Sequence, residues 1–319
     1  MLRGIALALT LAFTGCATIS AKGPQPLRPA LPPEVAAYYD YPSHAPDAVR
    51  ALVTDGPGHR LSIVRFPLSV PADLTPTEPV VEFEWFESAS PGRRPAIVFN
   101  PILGGDYPLE RGICRYLAQH GYHAALIHRK TLKISPEHPV AHLELLLRQG
   151  MLRIRQVVDW MAMQETVDPE RMGSFGISMG GMASAMTAAV EPRLKAHVVA
   201  LAGGPIADIL MTTRDTLLTK PRHRYLERNQ LTLEEMRRQL TAAVQTDPLR
   251  LAPYADRTQL LMFITLFDRT IGTSREFTLW RALGRPPAVL MPFGHYTSYL
   301  MLPVLKHRSL RFFRKTLDR

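Results

Sequence analysis

Three residues of the types that make a hydroxyl nucleophilic occur in the order Ser178, Asp268, His295. A serine hydroxyl is a weak nucleophile at neutral pH. It becomes reactive when an imidazole takes its proton and a carboxylate orients that imidazole. Ser178 lies in Gly176-Ile177-Ser178-Met179-Gly180, a spacing that suits a sharp strand-to-helix turn where larger flanking side chains would clash. The same spacing arises by chance in long chains, so the partners must carry the assignment. Asp268 ends the apolar run LLMFITLF, at the lip where a buried strand becomes a loop. A turn or helix-capping aspartate suits the same place. The rival Asp256 precedes the run and falls at the wrong end of a sheet. His295 follows the last apolar run, AVLMPFG. Of the 11 histidines, His197 lies within a buried run, His307 lies on the basic side of the last helix, and His128 precedes the serine. An oxyanion also needs preorganised N–H donors. Met179, directly after the serine, offers one. The other is expected from the loop PILGGD: Pro101 has no N–H, so Ile102 is the candidate and Leu103 the next, with Gly104 and Gly105 letting the loop bend close.

These residues need a scaffold that presents them together. From about residue 60 the chain alternates strand and helix patterns. LSIVRFPL and VVEFEWFE alternate apolar with polar, as half-buried strands of an antiparallel edge do. PAIVFN, YHAALIHR, the run Met172 to Phe175, LKAHVVALAGG, QLLMFITLFD and PPAVLMPFGH are continuous apolar runs, the mark of strands covered on both faces. A long helix carries Leu143, Leu147, Ile154, Val158 and Met161 on one face, with Gly150 expected to interrupt it. Helices also fit YPLERGICRYLAQHG, MGGMASAMTAAV and the closing segment after His295. Such alternation builds a parallel sheet between helix layers, with ligands at the loops that leave the carboxyl ends of the strands.

The segments VDPERMGSFGISMGG, LFDRTIG and GHYTSYL, together with VFNPILGG, resemble the α/β-hydrolase superfamily over roughly residues 60 to 319. Within it the chain resembles bacterial esterases and dienelactone-hydrolase-like proteins. It implies an α/β-hydrolase fold, with a mostly parallel eight-stranded sheet between helix layers. It also implies hydrolysis of a small-molecule ester through an acyl-serine, without metal or organic cofactor. Acyl transfer or peptide hydrolysis would use the same triad, and an envelope binding protein could keep the fold without turnover. Asn100-Pro101 replaces the more usual His-Gly pair at the oxyanion loop. The hydrolase domain is expected over 36–319, with 206–250 as a helical cap insertion. PIADILMTTRDTLLTK and LTLEEMRRQLTAAVQ would be its helices and PRHRYLERNQ the link between them. Leu103, Ile206, Leu210, Met211 and Tyr296 are the candidate pocket residues.

The amino end reads differently. Residues 1–15 have Arg3, an apolar stretch from Ile5 to Phe13 and small residues before Cys16, as a secretory signal does. FTGC resembles a bacterial lipobox, making Cys16 the lipidation site, and 16–35 would be a proline-rich tether. Ala17 after that cysteine implies, by resemblance to Gram-negative lipoproteins, an outer-membrane protein facing the periplasm; simple secretion is the alternative. With Cys16 lipidated, Cys114 has no intramolecular disulfide partner and reads as a buried helix residue. The net charge is +10. Basic residues cluster in the cap and on the last helix, either as solvated faces or as contacts to anionic lipid headgroups. No nucleic-acid module, P-loop, dinucleotide fingerprint or metal-ligand spacing is present, so nucleic acid and metal are not expected.

Overall fold

Apolar side chains of all shapes fill these runs, and coverage on both faces draws them into neighbouring strands. The computed structural model describes residues 17–21, 28–42, 47–56, 58–104, 106–129, 135 and 137–318. Among these residues ten strands form one sheet: β1 (Thr18–Ile19), β2 (Val49–Gly56), β3 (His59–Pro67), β4 (Val80–Ser88), β5 (Arg94–Asn100), β6 (His123–Ile127), β7 (Val167–Ile177), β8 (Leu194–Ala200), β9 (Leu260–Thr265) and β10 (Ala288–Met291). Their order is β1-β10-β9-β8-β7-β5-β6-β4-β3-β2. β5 to β10 run parallel. β2, β3 and β4 form an antiparallel edge that joins β6 antiparallel.

The strands β3 to β10 match the apolar runs; β1 and β2 are additional. β2 is exposed along almost its whole length, so it shows no alternation to read. β1 covers the open edge of β10: Ala17 O accepts from Leu290 N at 2.8 Å. The stretch expected as a tether thus joins the sheet at Thr18–Ile19 and forms helix α1 at Pro33–Tyr38. The expected signal segment 1–15, Cys16 and Gly105 lie outside the described residues.

Helices α2 (Pro108–Gln119) and α10 (Leu302–Leu317) cover one face of the sheet, where Ile113, Leu117 and Phe313 pack on Phe99 and Phe175. Helices α3 (His142–Ala162) and α4 (Met179–Val190) cover the other. There Trp160 meets Trp85 and Phe83 edge-on, with centroids 5.2 and 5.0 Å apart. Cys114 is fully buried in α2. α3 runs unbroken through Gly150. The loss of about 1 kcal/mol expected of a mid-helix glycine is small beside the burial of this helix's apolar face. Among the described residues no helix is long and apolar enough to cross a membrane.

The insertion holds α5 (Ile206–Thr212), α6 (Thr216–Asn229), α7 (Leu233–Ala243) and the single turn α8 (Pro248–Leu251). The expected first helix therefore breaks at Thr213, and the expected link is helical. Asp215 caps α6 by accepting from Leu217 N, and α6 continues through Pro221. That proline removes only one hydrogen bond of the ladder. Thr232 and Glu235 form a capping box at the start of α7. The base of the insertion is pinned: Asp247 Oδ2 accepts from Ile206 N at 2.7 Å. Glu144 of α3 accepts from Gln245 N and Thr246 N, both at 2.8 Å. α9 (Thr273–Ala282) returns the chain to β10.

Candidate active site

Ser178 stands between β7 and α4 with φ 57° and ψ −119°, a left-handed backbone imposed by the tight turn. The glycines make that turn possible. A Cβ on Gly176 would lie 1.9 Å from Gly180 O, and one on Gly180 would lie 1.9 Å from Asn100 O. Ser178 Oγ is 3.0 Å from His295 Nε2, and His295 Nδ1 is 2.7 Å from Asp268 Oδ2. An ionised Asp268 has no proton to donate, so it accepts from His295 Nδ1–H. That leaves Nε2 as the acceptor for the serine proton. Asp268 Oδ1 also accepts from Thr270 N at 2.7 Å and Ile271 N at 2.8 Å. Burial alone would raise this carboxyl. The hydrogen bond and charge of His295 outweigh it and hold Asp268 below the usual range.

A second carboxyl lies behind the first. Thr265 Oγ1 is 3.0 Å from Asp268 Oδ2 and 2.6 Å from Glu276 Oε1, while Thr265 N donates to Glu276 Oε2 at 3.1 Å. One hydroxyl has one proton, so Thr265 cannot donate to both carboxylates. Full burial, then the charge of Asp268, pushes the Glu276 carboxyl well above its ordinary value. A protonated Glu276 donates to Thr265, which donates to Asp268. Sequence reading missed this pair; a Thr three residues before the acid and a Glu eight after it carry no recognisable spacing.

The oxyanion loop departs from expectation at one residue. The N–H of Met179, at the amino end of α4, has no partner among the described residues. Ile102 lines the site, but its N–H donates to Glu110 Oε1 at 3.1 Å. The donor expected of Ile102 is therefore engaged, and the Leu103 N–H is the next along the loop. The loop is held from the other side by Arg129, whose guanidinium donates to Pro101 O at 2.8 Å and Ile102 O at 2.6 Å. Asn100, in the place of the usual histidine, donates to Ser184 Oγ at 3.0 Å and ties the loop to α4. Neither Glu110 nor Arg129 was read from the sequence as part of the site.

A cavity of about 510 Å³ opens beside Ser178, between α3, α4 and the cap. Leu103, Ile206, Leu210 and Tyr296 line it, as do Leu143, Leu147 and Met182. Met211 does not. It faces inward on α5 and packs in the cluster that includes Tyr225 and Met236. The rival histidines are accounted for. Burial pushes His197 down to about 4, and its Nδ1 lies 2.9 Å from Ser174 Oγ. His128 bridges Glu82 and Glu84. Asp256 caps the short turn before β9. Among the described residues no three His, Cys, Asp or Glu side chains converge as a metal site requires.

Strand order, elbow and cap together define an α/β-hydrolase fold, and comparison with known proteins agrees. A model of the Prolyl oligopeptidase family matches residues 153–293, which include Ser178, the cap and Asp268. No curated protein matches the chain. Acetyl xylan esterase 1 from Thermoanaerobacterium sp. JW/SL YS485 is similar in structure at 16% identity and a TM-score of 0.63, covering 87% of this chain and 94% of that one. The acetyl xylan esterase from Paenibacillus sp. R4 gives 18% identity and 0.63, covering 89% and 96%. The Pyrococcus furiosus esterase Pf2001 gives 11% and 0.52, covering 92% and 100%. At such identities the likeness is one of fold, and the chain has the α/β-hydrolase fold.

Proposed function

We propose that the protein is a serine hydrolase that cleaves carboxylic esters through an acyl-serine intermediate. The observation that carries this is the unbroken hydrogen-bonded line from Ser178 through His295 to Asp268, with the serine at an apolar cavity. His295 Nε2 takes the hydroxyl proton as Ser178 Oγ attacks the acyl carbon. The oxyanion forms near the Met179 N–H, where the amino end of α4 favours negative charge. Collapse expels the alcohol, which leaves with the proton held by His295. Water then repeats the cycle and releases the acid. Asp268 stabilises the imidazolium of each half-reaction. Three esterases of the same fold support an ester as substrate.

The Prolyl oligopeptidase family match favours a second reading, hydrolysis of a peptide amide by the same triad. Turnover of p-nitrophenyl butyrate against an N-acyl peptide p-nitroanilide separates the two. The proposal expects fast release of one equivalent of nitrophenol before steady state, and little release of nitroaniline. Faster anilide turnover would replace it with the peptidase reading. The proposal also has the chain lipid-anchored at Cys16, at the outer membrane and facing the periplasm, as FTGC and Ala17 suggest. Metabolic palmitate labelling should mark the native protein and fail in Cys16→Ser; equal labelling of both would exclude that anchor.

A further inference from the structure

Five large apolar side chains at the active-site end of the molecule are exposed rather than packed. Leu217, Phe267, Tyr296, Tyr299 and Leu300 are each between 61% and 66% exposed. They come from the cap, from the loop bearing Asp268, and from the segment after His295. Specific bonds join these elements. Asp215 accepts from Leu217 N at 2.9 Å and also from the Tyr296 hydroxyl. Arg214 N donates to Arg269 O at 3.2 Å, and Phe267 N donates to Phe293 O at 3.1 Å. Leu217, Tyr296 and Tyr299 also line the cavity. These exposed side chains, three in the cavity lining and two next in the chain to Tyr299 and Asp268, make up a rim at the entrance to Ser178. A clustered apolar rim on a folded chain marks a contact surface.

The direction of β1 says what the rim faces. β1 runs antiparallel to β10, so its amino end lies at the carboxyl end of β10. From there β10 leads directly to His295. Ala17 therefore sits on the side of the sheet where the serine opens, and Cys16, the proposed lipidation site, directly precedes it in the chain. Arg269, two residues after Phe267, and Arg214, whose N–H donates to Arg269 O, are both exposed, and no ion pair is formed by either among the described residues. Tyrosines, apolar side chains and unpaired arginines are what an anionic phospholipid surface accepts.

We propose that this rim docks on an anionic phospholipid bilayer and that the substrate is an acyl ester held in that bilayer. The alkyl chain passes from the lipid into the apolar cavity without crossing water. This inference rests on the ester-hydrolase reading of the site.

The test compares the full chain with its Phe267→Ser, Leu300→Ser double variant. Neither residue lines the cavity. Each protein is assayed with 4-methylumbelliferyl oleate embedded in phosphatidylcholine–phosphatidylglycerol vesicles, and with p-nitrophenyl butyrate in solution. The double variant should lose at least about tenfold on the vesicle ester and stay within about twofold on the soluble one. Equal rates on the vesicle ester, or equal losses on both, would overturn the docking. So would a wild-type dimer that the double variant breaks while vesicle turnover is unchanged, because the rim would then cover a second copy. A wild type inactive on both esters would remove the reading of the site itself.

Discussion

At the scale of single residues, the site depends on where protons are held. Asp268→Asn keeps the shape but lets the amide donate to His295 Nδ1, which turns the imidazole the wrong way to accept from Ser178. The expected loss in kcat is about 10⁴-fold, measured on a soluble ester. Glu276 gives a sharper test. Gln offers an N–H to Thr265 Oγ1 and a carbonyl to Thr265 N, as the protonated acid does. Glu276→Gln should therefore keep kcat within about threefold, while Glu276→Ala should lose about tenfold or more. The two variants separate further in stability. Below the ordinary glutamate value of 4.5, Glu276 is protonated in the folded and the unfolded chain alike. As the pH rises, the unfolded chain releases that proton and the folded one holds it, so stability falls until the folded value is passed. Melting temperature against pH should be flatter for Glu276→Gln above that point. An unchanged profile would mean Glu276 is ionised in the fold. The hydrogen-bonded line Ser178–His295–Asp268 was legible from residue type, order and strand ends. Glu276, Thr265, Glu110 and Arg129 were not, because each acts through a contact whose partner is distant or unremarkable in sequence.

At the scale of elements, the helical insertion and the loop after β5 frame the surroundings of Ser178. The cap was legible as an excess of chain between β8 and β9, but its helix limits were not. Pro221 reads as a breaker, and only the Asp215 cap and the tertiary position of α6 override it. One hold on the insertion lies within it: Asp247 accepts from Ile206 N at the base. Asp247→Ala should loosen α5 against the body, raise KM severalfold and speed amide exchange across 206–243 with little effect on the core. Exchange that speeds equally in β7 and β8 would show global destabilisation instead. The oxyanion loop is clamped by Arg129 on two carbonyls and by Glu110 on one N–H. Arg129→Met should cost about ten- to a hundredfold in kcat, with KM nearly unchanged, because donors held in place matter most in the transition state. A change confined to KM would assign Arg129 to substrate binding.

At the scale of the whole molecule, the sheet brings Ser178 and His295 together although they are 117 positions apart in the chain. Its interior was readable because strands buried on both faces are continuously apolar. Its two edges were not: β2 faces water, and β1 is too short to carry a pattern. Glutamates near the antiparallel edge contribute to the acid limit. Burial tends to raise Glu82, Glu84 and Glu87, but arginine and histidine partners outweigh it and hold all three below 4.5. A lowered folded value stabilises above 4.5 and is lost as the pH falls through the folded values, so acid unfolding should begin below that pH. Circular dichroism across an acid titration checks it; a fold unchanged to pH 2, an order-of-magnitude bound for such paired groups, would show these pairs to be dispensable. The central claim is that this fold holds Ser178 as an activated nucleophile. The most direct measurement is fluorophosphonate labelling of the folded protein, with the modified peptide identified by mass spectrometry. The account predicts one adduct, on Ser178, formed in seconds to minutes and lost in Ser178→Ala and in His295→Ala. A folded wild type that takes up no label, or takes it up on another residue, would contradict it.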